Sequence, residues 1–405
     1  MRPLNVLYVS HTGHVSGAEL SLLDLLTSLP ESARPTLACP AEGPLAGLAA
    51  AGGLRTLPIA GTAGSLKISP RTTSRALAEM ALATAQLVRL VPRVRADVVH
   101  ANSVRAGLAA VPAGRLTRRP VVVHVRDRLP RGRVADASLQ VVARGARVLL
   151  ANSRFTADGV TQVAPDADVR IVHNAVDLAR FDPARRDRGR ARAALGLPAD
   201  AFAAGVLGQI TPWKGQLDAV QAIAALAERQ PGLRLVVAGE PKFVDAATRF
   251  DNRAYLEELR RTIAAHGLQD RVDLVGQRDD VPAVLRALDA LLVPSWAEPF
   301  GRVVVEAMAM GVPVLATQVG GPAEIITDGR DGVLLPPAIP AVWAKALERL
   351  ILDDRMREAL GAAGRERATH FSPARHVTAV LSAYEATTGR RRAAAEPVPS
   401  ARQAA

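Results

Sequence analysis

Short apolar segments alternate with helical segments along the chain, and this alternation restricts the fold more than any other feature. In the first half, each apolar run is followed by a segment whose apolar residues recur with helical spacing. The predicted strands there are residues 5–10, 36–39, 98–100, 121–125 and 148–151. The predicted helices are residues 18–28, 74–90 and 103–113. This order is typical of a parallel sheet whose strands are joined by crossover helices.

The second half repeats the scheme, and 405 residues exceed what one ordinary core holds. The predicted strands are residues 203–207, 233–238, 272–274, 290–293 and 314–316. The predicted helices are residues 216–229, 251–266, 281–287 and 302–310, then 341–352, 354–369 and 372–387. We therefore predict two α/β domains, residues 1–175 and 176–370, followed by a C-terminal helix at 371–388. Residues 389–405 have no apolar face and are predicted to be a disordered tail.

The composition of the chain indicates in which cellular compartment the protein is expected. No run of about 18 apolar residues is present, so we expect no transmembrane helix. The first ten residues carry one charge and a strand-like run, without the apolar region and cleavage site of a signal peptide. The single cysteine, Cys39, has no partner for an intramolecular disulfide and argues against a thiolate metal site. We expect a cytoplasmic protein.

The net charge of +12 is concentrated in the first half, where residues 1–180 carry 22 Arg or Lys against 12 Asp or Glu. A basic domain attracts anionic lipid, phosphorylated acceptors or nucleic acid, although a solvated basic face fits the charge as well. Only 3% of residues are aromatic, which argues against a nucleic-acid platform. Arginines flank a helical stretch with an apolar stripe, a pattern that suggests a peripheral site at an anionic membrane surface. The arginines are Arg71, Arg75, Arg89, Arg93 and Arg95, and the stripe is Leu77, Met80, Leu87 and Leu90.

Two carboxylates flank a glycine turn between a buried strand and a helix. The segment reads Glu298-Pro-Phe-Gly-Arg-Val-Val-Val-Glu306 and leads into an apolar helix. Open backbone N–H groups at a helix N-terminus bind phosphate. A carboxylate one turn inside that helix can accept two hydrogen bonds from a ribose diol, and one on the approaching loop can do the same for sugar hydroxyls.

A second glycine loop follows the first strand of the second half. It contains Gly208 and Gln209, and Lys214 lies where the next helix begins. A lysine at this position, together with backbone N–H groups, is suited to a diphosphate.

The first segment resembles the Glu-x7-Glu motif of retaining family-four glycosyltransferases, and the second resembles their Gly-Arg-x4-Lys-Gly element. The resemblance implies a GT-B fold, with two Rossmann-like domains facing each other across a cleft and a C-terminal helix that crosses back to the N-terminal domain. It also implies that Glu306 holds the ribose and that Glu298 engages the donor sugar. Backbone amides at Phe300, Gly301 and Val303 would hold the phosphates with Lys214. The family's usual Arg is Gln209 here, which weakens leaving-group stabilisation unless another cation compensates.

Weaker resemblances extend over nearly the whole chain. Ser16-Gly17-Ala-Glu resembles a Gly-Gly-Ala-Glu loop, in which Gly17 allows close approach of a ligand. His124-Val-Arg126-Asp lies where relatives carry Thr-x-His-Asp, so the family's His is Arg126 here. The sequence does not decide which of His124 and Arg126 faces the cleft; both are catalytic candidates, since residues i and i+2 of a strand share a face. Gly239 and Arg278 match further donor-site positions, Arg278 near the base.

The resemblance implies a retaining transferase that uses a nucleoside-diphosphate sugar of UDP or GDP type, without a cofactor or a required metal. Its catalytic candidates are Glu298, Lys214, His124 and Arg126. The acceptor would be lipid-linked, a glycan or a small molecule, in glycolipid, polysaccharide or envelope glycan synthesis. The alternatives are a nucleotide-sugar epimerase or phosphorylase of the same fold, a catalytically impaired sugar-nucleotide binder, and a non-enzymatic nucleic-acid binder.

Overall fold

The computed structural model describes residues 2–62, 70–242 and 250–389, and for residues 70–73 only the helical backbone. Of the predicted tail, residues 389–405, all but Gly389 lies outside the described residues. The chain divides into two compact units. Unit 1 contains Met1–Ala175 together with the chain from Pro373 onward, and unit 2 is Val176–Ser372.

Unit 1 is a parallel sheet with helices in its connections. Its strands are β1 (Leu4–Val9), β2 (Ala33–Cys39), β3 (Arg55–Pro58), β4 (Val98–Ala101), β5 (Val121–Val125), β6 (Val148–Ala151) and β7 (Val169–Ile171). Its helices are α1 (Gly17–Thr27), α2 (Pro44–Ala51), α3 (Pro70–Arg93), α4 (Val104–Thr117), α5 (Arg133–Gly145) and α6 (Arg154–Thr161), with a last helix, Pro373–Thr388, after unit 2. The strand order is β3-β2-β1-β4-β5-β6-β7, and every pair is parallel. The order reverses beside β1, so the carboxyl ends of β1 and β4 are where a ligand is expected.

Apolar residues cover both faces of this sheet, because buried parallel strands carry branched side chains on each side. One face of β1 directs Leu7 and Val9 toward the cluster that includes Leu87 of α3. The opposite face directs Val6 and Tyr8 toward the cluster that includes α1. The alternation along β1 therefore divides one strand between two cores.

In unit 2 the arrangement is the same. Its strands are β8 (Phe202–Leu207), β9 (Leu233–Ala238), β10 (Val272–Gly276), β11 (Ala290–Val293), β12 (Val314–Thr317) and β13 (Val333–Leu335). Its helices are α7 (Arg188–Ala193), α8 (Gln216–Leu226), α9 (Asn252–Ala265), α10 (Val281–Ala287), α11 (Arg302–Ala309), α12 (Pro322–Ile325), α13 (Pro340–Leu352) and α14 (Asp354–Ala368). The sheet order is β10-β9-β8-β11-β12-β13, again all parallel. The order reverses at β8, so the loops after β8 and β11 meet at the expected ligand edge.

The helix Pro373–Thr388, here α15, packs on unit 1 although it follows unit 2 in the chain. Its Val380 and Leu381 are buried with residues of α1 and β1. The Tyr384 hydroxyl donates to the Tyr8 hydroxyl at 2.9 Å and lies 2.6 Å from His100 Nδ1. Unit 1 is therefore built from two segments of the sequence, one that precedes unit 2 and one that follows it.

The apolar stripe that suggested a membrane surface is mostly core. Leu87 has no exposed surface, and Met80 and Leu90 pack against the same cluster. Leu77 differs, with 61% of its surface exposed. The interpretation as a free membrane-binding face was wrong for Leu87, and Met80 and Leu90 are partly covered, because helical spacing alone does not say which side of a helix meets the sheet. In the part of the chain that the structure describes, no helix is long and apolar enough to cross a membrane.

The strands that the sequence did not predict lie at the edges of the two sheets. Strands β3 and β7 are short and form the two edges of the sheet in unit 1. Strand β13 has three residues and forms an edge of the sheet in unit 2. Edge strands are half-exposed and short, so their apolar pattern is weak.

Candidate functional site

Lys214 lies in the loop after β8, at the ligand edge of unit 2. The loop turns at Gly208, where φ is +143°, and the Pro212–Lys214 segment forms a 3₁₀ turn before α8. Gly215 follows with φ at +71°, and a Cβ there would lie 2.1 Å from the Pro294 carbonyl oxygen. Glycine at 215 therefore lets the chain turn tightly beside the end of β11, and this places Lys214 next to the loop that follows β11.

Lys214 and Glu298 form an ion pair at this edge. Lys214 Nζ donates to Glu298 Oε2 at 2.6 Å, and the Ser295 hydroxyl donates to the same oxygen at 3.0 Å. The two charged side chains are 17% and 8% exposed. The ammonium also lies 4.4 Å from the ring centroid of Trp213. A mostly buried lysine held between a carboxylate and an aromatic face is a fixed positive charge, which suits a developing phosphate charge.

The backbone around Glu298 is held by a close approach of two glycines. Glu298 N–H donates to Val319, and Gly321 N–H donates to the Glu298 carbonyl. A Cβ at Gly320 would lie 2.1 Å from the Glu298 carbonyl oxygen, and one at Gly321 would lie 2.4 Å from Phe300 Cα. The two glycines therefore let the loop after β12 lie directly against the motif.

Helix α11 begins behind this loop. Gly301, at φ +91°, is its N-cap residue. Phe300 is 2% exposed and packs its ring on Phe371 at 6.0 Å, so at this position only the backbone remains for a ligand. Val303 is half-buried in the first turn. These positions place the backbone of the first turn of α11 close to the Glu298 loop, which is where a helix binds phosphate.

Glu306 lies one turn further along α11, with its carboxylate almost covered. Arg302 Nε donates to Glu306 Oε1 at 2.7 Å, and both side chains are 10% exposed. Glu306 was predicted from the sequence, whereas Arg302 was not. The spacing i, i+4 on a helix is the signal that would have found this pair.

The remaining donor-site candidates take less central positions. The Gln209 carbonyl accepts from the Gln216 side chain at 2.9 Å, and the Gln209 side chain is half-buried. Gly239 approaches the β8 loop so closely that a Cβ would lie 1.8 Å from the Gly208 carbonyl oxygen. Arg278 is tied to Asp280 by two 3.0 Å hydrogen bonds, after the carboxyl end of β10. Their roles toward a nucleotide stay predictions.

Replacing Gly239 with alanine tests whether this close approach maintains the donor loop. We expect a loss of about 2–4 kcal/mol in the free energy of unfolding of unit 2, because φ is +153° and the new Cβ meets backbone. All three tryptophans, Trp213, Trp296 and Trp343, lie in unit 2, so denaturant unfolding followed by tryptophan fluorescence reports on this unit. Gly232→Ala is the matched control, since its Cβ would meet no atom within 4 Å. Equal stability of the two variants would contradict the packing argument.

In unit 1, Gly17 opens α1 after the loop that follows β1. Ser16 and Glu19 form a reciprocal capping box, with the Ser16 hydroxyl 2.6 Å from Glu19. A Cβ at Gly17 would meet no atom within 4 Å. Protein packing therefore does not require glycine here, which leaves room for the ligand contact predicted from the sequence.

Arg126 is buried at the carboxyl end of β5 and is 4% exposed. Its Nε donates to Asn102 at 2.8 Å, and its Nη1 donates to Asn174 at 2.6 Å. The Asn152 side chain donates to the Arg126 carbonyl at 2.7 Å. These asparagines were not predicted as a group, because they follow different strands and only the sheet brings them together. Asn102 and Asn174 hold the guanidinium with neutral oxygens, and Asn152 holds the backbone of Arg126.

His124 has no exposed surface, so direct contact with a substrate is not available to it in this conformation. Its ring stacks on His376 of α15 at 5.9 Å and lies 5.7 Å from His100. Burial, followed by the charge of Arg126, holds the pKa of both His100 and His124 well below the ordinary value. The imidazoles are therefore neutral and belong to the core; a catalytic role for His124 stays a prediction.

His11, at the end of β1, is also perturbed. Its Nδ1 lies 3.0 Å from the Ser103 hydroxyl, and burial together with Arg105 lowers its pKa to about 4. This residue lies beside the reversal of the strand order and was not among the predicted site residues. Among the described residues, no group of three His, Cys, Asp or Glu side chains is arranged as metal ligands.

Comparison with known proteins follows the two units. The family model described as Glycosyltransferase Family 4 matches residues 15–180, and the model described as Glycosyl transferases group 1 matches residues 187–367. A D-inositol 3-phosphate glycosyltransferase of Arthrobacter sp. (strain FB24) is 32% identical over 314 residues, which cover 73% of this chain and 72% of the relative. The chain belongs to glycosyltransferase family 4.

Other relatives of this family-4 chain match less of their length. A D-inositol 3-phosphate glycosyltransferase of Salinispora arenicola (strain CNS-205) is 38% identical over 268 residues, or 63% of this chain. The chain spans 58% of that relative.

Solved structures agree on the fold. The structure of Anabaena HepE in complex with UDP-glucose has a TM-score of 0.81 at 24% identity, covering 95% of this chain and 100% of that one. The sucrose-phosphate synthase of Thermosynechococcus elongatus has a TM-score of 0.77 at 21% identity, covering 95% and 98%. The predicted family-4 resemblance and the predicted GT-B class, with its two Rossmann-like parallel sheets, are confirmed.

Proposed function

We propose that this family-4 chain is a retaining, metal-independent glycosyltransferase that moves a sugar from a nucleoside-diphosphate sugar to an acceptor hydroxyl. The observation that carries the proposal is the grouping of Lys214, Glu298 and the start of α11 at the carboxyl ends of β8 and β11. The family membership supports the reaction class. Such a site offers a cation, phosphate-binding amides and two carboxylates, which are the groups that a sugar nucleotide needs.

Each group has a proposed role in unit 2. Glu306 accepts from the two ribose hydroxyls, and the first-turn amides of α11 bind the diphosphate with Lys214. Glu298 accepts from hydroxyls of the donor sugar while it keeps Lys214 in place. The bond from the anomeric carbon to the leaving phosphate breaks as the acceptor oxygen bonds to the same face. The leaving phosphate takes the acceptor's proton, so the chemistry needs positioning and charge stabilisation rather than a covalent nucleophile.

The donor and the acceptor are proposed from the relatives together with the charge of unit 1. HepE, which was solved with UDP-glucose, supports a UDP-type donor. The names of the relatives support a polyol acceptor that carries a phosphate. Unit 1 suits an anionic acceptor, since Arg126 is held by neutral amides and Arg105 lies close enough to His11 to lower its pKa. We propose that unit 1 binds this acceptor and that no cofactor is needed.

Nucleotide binding tests the proposal first. A thermal-shift panel of UDP, GDP, ADP and their sugar conjugates should show one nucleotide stabilising the wild type. At a hundred times its dissociation constant a ligand stabilises the fold by about 2.7 kcal/mol, a shift of roughly 5–10 °C for a domain of this size. Glu306→Ala should lose the shift, because the ribose then has no carboxylate to bind.

The matched control is Glu257→Ala, which removes an exposed carboxylate of α9. It should shift like the wild type. Incubation of the wild type with the active donor and an inositol phosphate, followed by NMR of the product, would show the anomeric configuration. If no nucleotide of the panel raises the melting temperature of the wild type, the proposed function is wrong. If the product has the inverted anomeric configuration, the retaining mechanism is wrong.

A further inference from the structure

Arg302 contacts the carboxylate of Glu306, the residue proposed to bind the ribose. Arg302 is the first residue of α11, and its Nε is 2.7 Å from Glu306 Oε1. Only 10% of each side chain is exposed, so this is not a solvated surface pair. The contact fixes one carboxylate oxygen before any ligand arrives.

Helix stability does not explain an arginine at this position. A cation in the first turn opposes the helix dipole, which favours acidic residues there. The order Arg then Glu at i, i+4 is the less favourable one for a helix. Withdrawing two charges from water also costs free energy that their attraction need not recover. Three separate effects therefore disfavour the Arg302–Glu306 pair as a stabilising device of α11.

Orientation of the carboxylate does explain it. A free glutamate side chain has several rotamers, and a ligand that selects one of them loses affinity accordingly. A guanidinium N–H fixes the orientation, while the carboxylate keeps further lone pairs that can accept from hydroxyl groups. A ribose diol needs two acceptors at a fixed distance, so an oriented carboxylate recognises it and a mobile one does so poorly.

We infer that Arg302 is a positioning residue of the donor site, which orients Glu306 and thereby sets the preference for a ribonucleotide over a 2′-deoxyribonucleotide. This inference rests on the proposed function, since it takes Glu306 as the ribose ligand. Removal of Arg302 then weakens recognition of the 2′-hydroxyl specifically, whereas a merely structural role would weaken every ligand alike.

The test compares dissociation constants for UDP and 2′-deoxy-UDP by calorimetry in wild type, Arg302→Gln, Arg302→Lys and Glu306→Gln. The measured ratio is the dissociation constant of 2′-deoxy-UDP divided by that of UDP. A hydrogen bond to a charged group changes affinity by about 10- to 100-fold, so a ratio of this size is expected for the wild type. The ratio should fall below about threefold in Arg302→Gln, close to that of Glu306→Gln. Arg302→Lys should give an intermediate ratio, because a lysine keeps the charge without the planar geometry of a guanidinium.

Arg260→Gln is the matched control, because it breaks an exposed Arg–Glu pair on α9 of the same unit. It should keep the wild-type ratio. Tryptophan fluorescence of each variant checks that unit 2 is folded. If Arg302→Gln does not fold, the ratio of Arg302→Lys alone is compared with that of the wild type. A ratio in both Arg302 variants within twofold of the wild type would overturn the inference. Failure of the wild type to bind UDP, GDP or ADP is a different result, which removes the proposed function itself.

Discussion

Lys214→Met is expected to lower kcat by about 10²–10³-fold, the usual effect of removing one group that stabilises transition-state charge. Methionine retains a straight apolar stem against Trp213, so the substitution removes the charge with little change in volume. The effect should fall mainly on kcat, because charge on the leaving diphosphate develops as the sugar bond breaks. Steady-state kinetics with the donor identified by the binding panel measures it.

The same variant should also lose stability, since Glu298 then keeps a mostly buried carboxylate without its cation. We expect a decrease of roughly 1–3 kcal/mol in the free energy of unfolding of unit 2. Adding Glu298→Gln should restore most of the stability and none of the activity, which separates the two effects. Lys214→Arg keeps the charge and should retain more activity than Lys214→Met. Full activity in Lys214→Met would contradict the proposed role.

Acidification should destabilise unit 1 through its buried histidines. His100 and His124 have pKa values held well below the ordinary value by burial, and the pKa of His11 is lowered to about 4. Unfolding exposes them to water, where they bind protons below about pH 6.5. The unfolded chain then binds more protons than the folded one, so stability is complete above that pH and falls as the pH decreases. At pH 5.5 each neutral buried histidine should cost about 1.4 kcal/mol.

The fully buried pair, His100 and His124, is packed with Tyr8, Arg126, Tyr384 and His376. These neighbours offer no carboxylate that would favour the charged imidazole. Hydrogen exchange of the amides in β5 and α15 measures opening of this region between pH 7.5 and 5.5. In the wild type, opening of this region takes up a proton at each histidine, which makes the opening free energy depend on pH. His124→Phe removes one of these protons, so the slope of the opening free energy against pH should fall by up to about 1.4 kcal/mol per pH unit. The exposed His14→Gln is the control in the same unit, and an unchanged slope in His124→Phe would refute the assignment.

The sequence predicted the central strands well and the site only in part. Strands β5, β9 and β11 begin and end at the predicted residues, because a buried parallel strand is a continuous apolar run between turn residues. The carboxylate motif also lies at the predicted strand–helix junction. The Lys214–Glu298 pair could not be read from the sequence, since 84 positions separate the two residues and only the sheet order brings their loops together.

The histidines show a second limit. His124 was a catalytic candidate because His124-Val-Arg126-Asp lies where relatives carry Thr-x-His-Asp, and that role stays a prediction. Its surroundings depend on α15, which begins about 250 residues later and supplies His376 and Tyr384. Periodicity describes neighbours along one element, and it carries no information about a helix that returns from so far along the chain.

The return of α15 also sets the order in which the chain can become folded during synthesis. Unit 2 is one continuous segment, so all its strands are available once Ser372 has left the ribosome. Synthesis of unit 1 begins before that of unit 2. Until α15 has been synthesised, however, Tyr8, His100 and His124 lack their contacts with Tyr384 and His376. The domain that is translated first therefore completes its core last, and its nascent form lacks the packing of α15 throughout the translation of unit 2.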